Sequence, residues 1–329
     1  MRTGCPKRMV HGPCGGVRSD GRCEMAEHPC VFLDLPHPPP VPPLPARPLP
    51  DVPLVLTDLS VPPSHRWALT ATARRLAGSC DALLVGDHQD RPDFAPTVLA
   101  RLIADAGSRP WVTLACRDRP RAALEQELDR LRDDDLATVL CVTGDGRAPG
   151  VEPQVPQVFD LDGTRLAGLA AARGLRVAVP ETPAAPPVRL RPERLVRKQQ
   201  AGASVAVLNH VARPERVAAF MAAARAHGLA IPVVASVAVY TDERSAAVLA
   251  GLPGLDLDPA AVAAVLAARD PVAAGVEAAV AEAAALLAID GVGGVNLSGL
   301  ASERSAAFAA DVQAEVGRRV RSGQAARQG

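Results

Sequence analysis

Four cysteines near the start of the chain are the first residues whose type and spacing could support chemistry. Cys5, Cys14, Cys23 and Cys30 are separated by eight, eight and six residues. Four thiolates can hold a zinc ion tetrahedrally or carry an iron–sulfur cluster, and the lack of a CxxC pair leaves both metals open. A segment this short cannot bury a core of its own, so a metal would supply its folding energy. The alternative is a reduced, partly disordered tail.

Polar residues also follow a series of short apolar runs, each at the point where a run ends. They are Asp58, Asp87, Arg117, Asp118, Thr143, Asp145, Glu181, Asn209, Ser236 and Asn296. In a barrel of parallel strands the carboxyl ends of the strands meet at one face, and the active site lies there. We therefore expect these side chains to converge on one site. The alternative for any single residue is that strand ends are polar because loops begin there.

Eight apolar runs must position those residues. They lie at residues 53–58, 82–87, 111–116, 137–143, 175–180, 204–209, 231–236 and 294–297. Strands that are apolar on both faces are typical of parallel sheets covered by helices. Segments with the periodicity of amphipathic helices lie between the runs, among others at residues 64–77, 119–132, 192–201 and 214–227. The predicted fold class is therefore α/β, a (β/α)8 TIM barrel.

An open, doubly wound sheet is the alternative architecture. Such a sheet usually binds its ligand through a glycine-rich phosphate loop at a switch point. The sequence has no GxGxxG after the first apolar run and no GxxxxGK[ST] at any position. We therefore favour the closed barrel.

A proline-rich stretch divides the chain into a small head and a large body. Proline removes backbone donors and favours extended conformations, so this stretch is predicted to be a semi-rigid linker. The predicted organisation is a cysteine-rich module over residues 1–35, a linker over 36–52, a barrel over 53–320 and a flexible tail over 321–329.

Composition narrows the classes of function. Basic and acidic residues balance at 36 each and aromatic residues make up 2% of the chain, which argues against a nucleic-acid partner. No apolar run approaches the ~20 residues that span a bilayer, and the N-terminus lacks the apolar stretch of a secretory signal. We expect a cytoplasmic protein without a membrane partner, and the oligomeric state stays open. In a reducing compartment Cys80, Cys116 and Cys141 are expected to be buried apolar residues.

Several motifs resemble those of the methylenetetrahydrofolate reductase family. TLACRDRPR at residues 113–121 is similar to the family's HLTCRDRNR, and VLCVTGDG at 139–146 is similar to ILALRGD. VPETP at 179–183, VRKQQAGA at 196–203 and GVGGVNL at 291–297 follow in family order. The head, CPKRMVHGPCGGVRSDGRCE at residues 5–24, closely resembles a cysteine module attached to such reductases in some bacteria, fused or as a separate small subunit.

The resemblance implies reduction of 5,10-methylenetetrahydrofolate to 5-methyltetrahydrofolate in one-carbon metabolism and methionine biosynthesis. NADH or NADPH would donate hydride, through FAD or directly. Asp58 is implied as the proton donor and Asp145 as a second catalytic carboxylate near the flavin. The implied cofactor-binding residues are Thr113, Arg117, Thr143, Arg197, Lys198 and Asp87. The implied folate-binding residues are Asn209, Glu181 and Tyr240, and the implied metal ligands are Cys5, Cys14, Cys23 and Cys30.

Two other functions stay open at this point. The chain could be an accessory folate-binding subunit, inactive alone, whose cysteine head docks an electron-transfer subunit. It could also be a methyltransferase-like barrel that acts on methyltetrahydrofolate and needs no hydride donor.

Overall fold

Eight parallel strands close into a barrel in the computed structural model, which describes residues 4–88, 91–146, 156–299 and 301–328. The strands are β1 Val55–Leu59, β2 Ala82–Val85, β3 Pro110–Ala115, β4 Thr138–Val142, β5 Arg176–Glu181, β6 Val205–Leu208, β7 Val233–Ala238 and β8 Val292–Ser298. Each strand pairs with the next, and β1 pairs with β8 to complete the ring. The predicted TIM barrel is confirmed, and the open sheet is excluded.

Helices cover the outside of the barrel. They are α1 Arg66–Leu76, α2 Pro96–Asp105, α3 Arg121–Asp134, α4 Gly163–Ala172, α5 Arg191–Gln200, α6 Pro214–Ala226, α7 Glu243–Ala250, α8 Pro259–Leu266, α9 Pro271–Leu287 and α10 Ala306–Gln328. A short 3-10 turn, Val188–Leu190, precedes α5. No helix of the described ranges is both long enough and apolar enough to cross a bilayer.

The last helix differs from the predicted flexible tail over residues 321–329. Residues 321–328 continue α10, while residue 329 lies outside the described part of the chain, as do residues 1–3 of the predicted head. Val316 and Val320 are buried against the rest of the fold, and they anchor the middle of the helix. Arginine, glutamine and alanine, which are good helix formers, make up six of residues 321–328 and extend the helix.

The core has two layers, as the apolar runs predict. Leu56, Trp111, Leu140, Val207 and Val234 belong to a small cluster inside the barrel. The alternate residues of the same strands face outward and pack on the helices in one large cluster. Filling of the barrel interior by side chains makes it a packed core, so the polar strand ends stand above it at the mouth.

The head, residues 4–35, lies on the barrel instead of standing apart from it. Met9, Phe32 and Leu35 are buried together with Leu190 of the turn before α5. The linker then runs down the outside of the barrel, where the Leu44 amide donates a 2.8 Å hydrogen bond to the Gln200 carbonyl at the end of α5. The head therefore covers part of the face at which the strands end.

Candidate functional site

A cavity of about 270 Å³ opens at the carboxyl ends of the strands. Seven residues that sequence reasoning singled out line it together: Asp87, Thr113, Arg117, Thr143, Asp145, Lys198 and Asn209. They come from the ends of β2, β3, β4 and β6 and from α5. Lys7, Cys14 and Gly15 of the head complete the wall. The ends of β2, β3, β4 and β6 therefore converge as expected, whereas Asp118, Ser236 and Asn296 of the expected set do not line this cavity. The head contributes to the same site.

Asp58 lies apart from that cavity wall. It is the penultimate residue of β1, and its carboxylate accepts hydrogen bonds from Asn296 Nδ2 at 3.0 Å and from Ser298 Oγ at 2.6 Å. Burial raises the pKa of Asp58, although both hydrogen bonds oppose the rise. The neighbouring strand β8 thus holds this carboxylate, while Asp145 lines the cavity from the end of β4. Both predicted catalytic carboxylates lie at the same mouth of the barrel, but the structure does not bring them into one cavity wall.

Asp145 stands in a turn that the head holds in place. The Lys7 ammonium donates to the Gly144 carbonyl at 2.8 Å and pairs with Glu24 at 2.5 Å. Glu24 in turn accepts from the Gly146 amide at 2.5 Å. Burial raises the pKa of Asp145, and the charge of Lys7 opposes that rise. The head therefore fixes both the position and the electrostatics of this carboxylate.

A buried ion cluster lies at the end of β5. Glu181 Oε2 is 2.7 Å from Arg194 and 3.0 Å from Lys198 Nζ, and Glu181 Oε1 is 3.5 Å from Arg191. Burial alone would raise the pKa of Glu181, but the three cations hold it well below its usual value. Burial and the charge of Arg194 lower the pKa of Lys198 to about 7, against the attraction of Glu181. Arg194 and Lys198 line the cavity, whereas Glu181 is buried behind them.

Arg117 is fully engaged with its neighbours at the end of β3. Its Nη2 atom donates to the His88 carbonyl at 2.7 Å, lies 2.7 Å from Asp118 and lies 3.4 Å from Asp87. Burial raises the pKa of Asp87, against the charges of Arg119 and Arg117. This network gives the cavity a rigid, nearly neutral wall on the side of β2 and β3.

Two further predicted site residues, besides Asp58 and Glu181, lie away from the cavity wall. Arg197 pairs with Glu193 at 2.8 Å and donates to Gln200 at 3.0 Å along the outer side of α5. Adjacent helical residues point ~100° apart, and of this pair Lys198 lines the cavity whereas Arg197 does not. Tyr240 follows β7 and is half-buried, and the nearby charge of Glu282 adds to burial in raising its pKa.

The four cysteines of the head surround a second, smaller cavity together with Glu24 and His28. All four thiols are free of disulfides. Within the described residues, no three His, Cys, Asp or Glu side chains converge as ligands of one metal ion. Burial raises the pKa of Cys14, and it raises the pKa of Cys30 to about 11. Cys14 and Lys7 belong to the walls of both cavities, so the two cavities are neighbours.

Sequence reasoning missed several residues that build the site. Lys7 and Glu24 hold the turn after β4, Arg194 lines the cavity, and the Asp162 carboxylate accepts from the Val10 amide of the head at 2.8 Å. Their partners are far away in the sequence, and no local pattern marks them. Only the N-terminal capping role of Asp162 at α4 carries a local signal, because aspartate before a helix is a common cap.

Residues 1–36 match a family model described as Methylene-tetrahydrofolate reductase C terminal. Among solved structures, the chain is similar to an uncharacterized protein from Clostridium thermocellum that binds two copies of 5-methyl-5,6,7,8-tetrahydrofolic acid. The identity is 11% and the TM-score 0.56, over 82% of this chain and 95% of that one. A tryptophan synthase from M. tuberculosis matches at 14% identity with a TM-score of 0.48, over 81% of this chain and 92% of that one. A search of curated proteins finds no match.

At 11% identity the Clostridium thermocellum structure supports the fold alone, whereas the family model bears on the head. The resemblance to methylenetetrahydrofolate reductases is thus confirmed through the head, and this chain is a TIM-barrel protein that carries the segment described by that family model at its N-terminus.

Proposed function

We propose that this chain reduces 5,10-methylenetetrahydrofolate to 5-methyltetrahydrofolate in the cavity at the strand ends. The observation that carries the proposal is the arrangement of the head. A segment that matches a methylenetetrahydrofolate reductase model forms part of the wall of a TIM-barrel cavity. The similar protein from Clostridium thermocellum binds 5-methyl-5,6,7,8-tetrahydrofolic acid, which agrees with a folate ligand.

The cavity offers groups that suit a pterin and a developing cation. The Asn209 side chain donates to Thr182 Oγ1 at 3.3 Å, so its carboxamide is oriented at the cavity wall. A carboxamide presents a donor and an acceptor together, as recognition of a pterin edge requires. Asp145 supplies a carboxylate that would stabilise the iminium cation formed when the folate ring opens.

The residues present do not fit the phosphates of a flavin. The resemblance implies that Arg197 and Lys198 bind these phosphates together, but Arg197 pairs with Glu193 outside the cavity and Lys198 pairs with Glu181. Arg117 is likewise occupied by Asp118 and the His88 carbonyl. We therefore propose that NADH or NADPH gives its hydride to the folate directly, and we derive no step through FAD.

The four cysteines that surround the smaller cavity are the residues that would hold a metal group. Thiolate ligands of one zinc ion must all lie ~2.3 Å from one point, and no such convergence occurs among the described residues. An iron–sulfur cluster takes four thiolates that are farther apart. We propose that Cys5, Cys14, Cys23 and Cys30 hold such a cluster, which would supply one-electron chemistry beside the barrel cavity.

Folate-dependent oxidation of reduced nicotinamide tests the proposed reaction. We expect the purified chain to oxidise NADH or NADPH only when 5,10-methylenetetrahydrofolate is present, and to form 5-methyltetrahydrofolate in equal amount. Asp145→Asn should lose most of this activity. Asp105→Asn, at an exposed carboxylate near the end of α2, is the matched control and should retain it. Absence of oxidation by the wild-type chain with either nicotinamide contradicts the proposal.

An accessory role is the second candidate, and the shared position of Cys14 in both cavities favours it. In that case the chain would bind folate but reduce it only when a separate electron-transfer subunit is added.

An absorption spectrum and a metal analysis of the purified protein bear on both candidates. Bound iron with sulfide supports a cluster, stoichiometric zinc contradicts it, and flavin bands would contradict direct hydride transfer.

A further inference from the structure

We propose that Lys198 is the proton donor of the barrel cavity, and that its ammonium gives a proton to the folate nitrogen released when the ring opens. The inference rests on the proposed reduction and names a residue for one of its steps. The resemblance implies a phosphate-binding role for Lys198 and assigns proton donation to Asp58. The geometry supports a different assignment for both.

The proposed step balances as follows. The bond between the methylene carbon and one folate nitrogen breaks, and its electron pair stays on that nitrogen. The nitrogen takes a proton from the Lys198 ammonium and becomes an amine. The iminium carbon that remains accepts a hydride from reduced nicotinamide, which is thereby oxidised. Lys198 is left as a neutral amine and regains its proton from solvent.

The position of Lys198 suits this task. It lies on α5, its side chain is 4% exposed, and it lines the cavity. Its Nζ atom is 3.0 Å from Glu181 Oε2 and also donates to the Pro180 carbonyl. These two acceptors orient the ammonium at the end of β5. Asp58, by contrast, is held outside the cavity wall by Asn296 and Ser298.

The charges of the cluster leave Lys198 as the member that can exchange a proton near neutrality. Arginine remains charged in proteins, and even the lowered pKa of Arg191, about 10, keeps it a cation at pH 7. Glu181 remains an anion because the cations around it depress its pKa. With Lys198 protonated, three cations share one carboxylate. Release of a proton from Lys198 relieves their mutual repulsion.

The other charged groups of the cavity do not supply an equivalent donor. Arg117 is held by Asp118 and Asp87 on the side of β2 and β3. Lys7 is held by Glu24 and the Gly144 carbonyl beside Asp145. Burial raises the pKa of Asp145, yet the nearby Lys7 favours its charged form. A carboxylate in that place suits stabilisation of the iminium cation better than proton donation.

The use of lysine in this chain agrees with a special role. The chain has 36 basic residues, and only Lys7 and Lys198 among them are lysines. Both line the cavity. Arginine supplies positive charge everywhere else, as on α3 and α10. Lysine differs from arginine in its compact ammonium, which can lose a proton when it is buried. A requirement for proton exchange explains why arginine does not take the place of Lys198.

The first test observes the proton directly in the complete folded chain. Lysine labelled with ¹³C at Cε gives two side-chain signals, because the sequence contains two lysines. Lys198→Arg removes one signal and so assigns it. We expect this signal to shift with a midpoint near pH 7, following the lowered pKa of Lys198. A midpoint above about pH 9.5, close to the ordinary range of lysine, overturns the proposal.

The second test measures turnover against pH. Loss of a positioned general acid costs about 10²- to 10⁴-fold, so Lys198→Arg should lower kcat by that factor and change KM little. Wild-type kcat should fall as pH rises past the midpoint of the Lys198 signal. Lys198→Met, similar in length and uncharged, should show the same loss of kcat, and thermal unfolding verifies that both variants are folded.

The outcomes separate this inference from the proposed function. A wild-type chain that does not reduce methylenetetrahydrofolate refutes the reaction and this inference with it. An active wild type together with a Lys198→Arg variant of unchanged kcat refutes the role of Lys198 alone. If Asp58→Asn abolishes turnover while Lys198→Arg retains it, Asp58 is the proton donor and the proposal is overturned.

Discussion

Replacement of Glu181 by glutamine probes the charge balance on which the site is built. Glu181 is the carboxylate that Arg191, Arg194 and Lys198 share, and all four side chains are buried. Glutamine keeps the shape of the side chain and removes its charge. Loss of one partner from a buried ion pair costs about 3–5 kcal/mol, because the remaining charge is left uncompensated. We expect a loss of this size in the free energy of unfolding at pH 6.

The loss should shrink as pH rises, because Lys198 can give up its proton. In the folded wild type the pKa of Lys198 is about 7, whereas an unfolded lysine keeps its proton until about pH 10.4. Between these values the unfolded chain binds more protons, so stability rises with pH. Without Glu181 the folded pKa of Lys198 falls further. For each unit by which the pKa of Lys198 falls, the loss of unfolding free energy in Glu181→Gln at pH 8 becomes about 1.4 kcal/mol smaller than the loss at low pH.

Urea unfolding at several pH values measures this effect. Trp111 is 1% exposed inside the barrel, so its fluorescence reports loss of the core. Glu277→Gln is the matched control, because Glu277 pairs with Arg319 on the surface, and it should leave the free energy of unfolding nearly unchanged. The reasoning is refuted if Glu181→Gln is within about 1 kcal/mol of the wild type at pH 6 or if its deficit does not depend on pH.

Three further changes test the head, its contact with the barrel and the packing of α4 against the end of β4. Asp162→Ala should remove about 1 kcal/mol of helix capping and the acceptor for the Val10 amide, so limited proteolysis within residues 4–35 should become faster; an unchanged rate would show that this contact does not hold the head. Gly163→Ala would place a Cβ atom 2.9 Å from a backbone nitrogen at the end of β4, and we expect a loss of about 1–3 kcal/mol; an unchanged unfolding midpoint in urea would count against that close packing. Cys14→Ser should lower bound metal by elemental analysis, whereas Cys80→Ser, outside the head, should not; equal metal content in both variants would exclude Cys14 as a ligand.

The barrel could be predicted from the sequence because the burial of each strand is visible in a short local pattern of apolar residues. A run that is apolar on both faces must be covered on both sides, and eight such runs with helices between them close into a ring. The run at residues 175–180 became β5, Arg176–Glu181, and the run at 294–297 became the longer β8, Val292–Ser298. The end of α10 differs from the prediction, because residues 321–329 consist of Arg, Ser, Gly, Gln and Ala and carry no apolar periodicity.

The sequence by itself also determined which residues reach the barrel mouth, since each stands where an apolar run ends. It could not decide which of them share a cavity. Asn296 and Ser298 of β8 hold Asp58 away from the cavity wall by hydrogen bonds. Arg197 lies on the outer side of α5, where it pairs with Glu193. These outcomes depend on partners far along the chain, and the sequence carries no local signal for them.

Only the tertiary structure shows that the head forms part of the cavity wall and which charged groups surround the cavity. The fold brings Lys7 of the head to the turn after β4 and three cations of α5 around one carboxylate of β5. The hydrophobic pattern is visible in short stretches of the linear sequence, so the barrel could be predicted from it. Electrostatic interaction depends on distance and burial in space, so the protonation of the site could be inferred only once the head and the barrel were seen together.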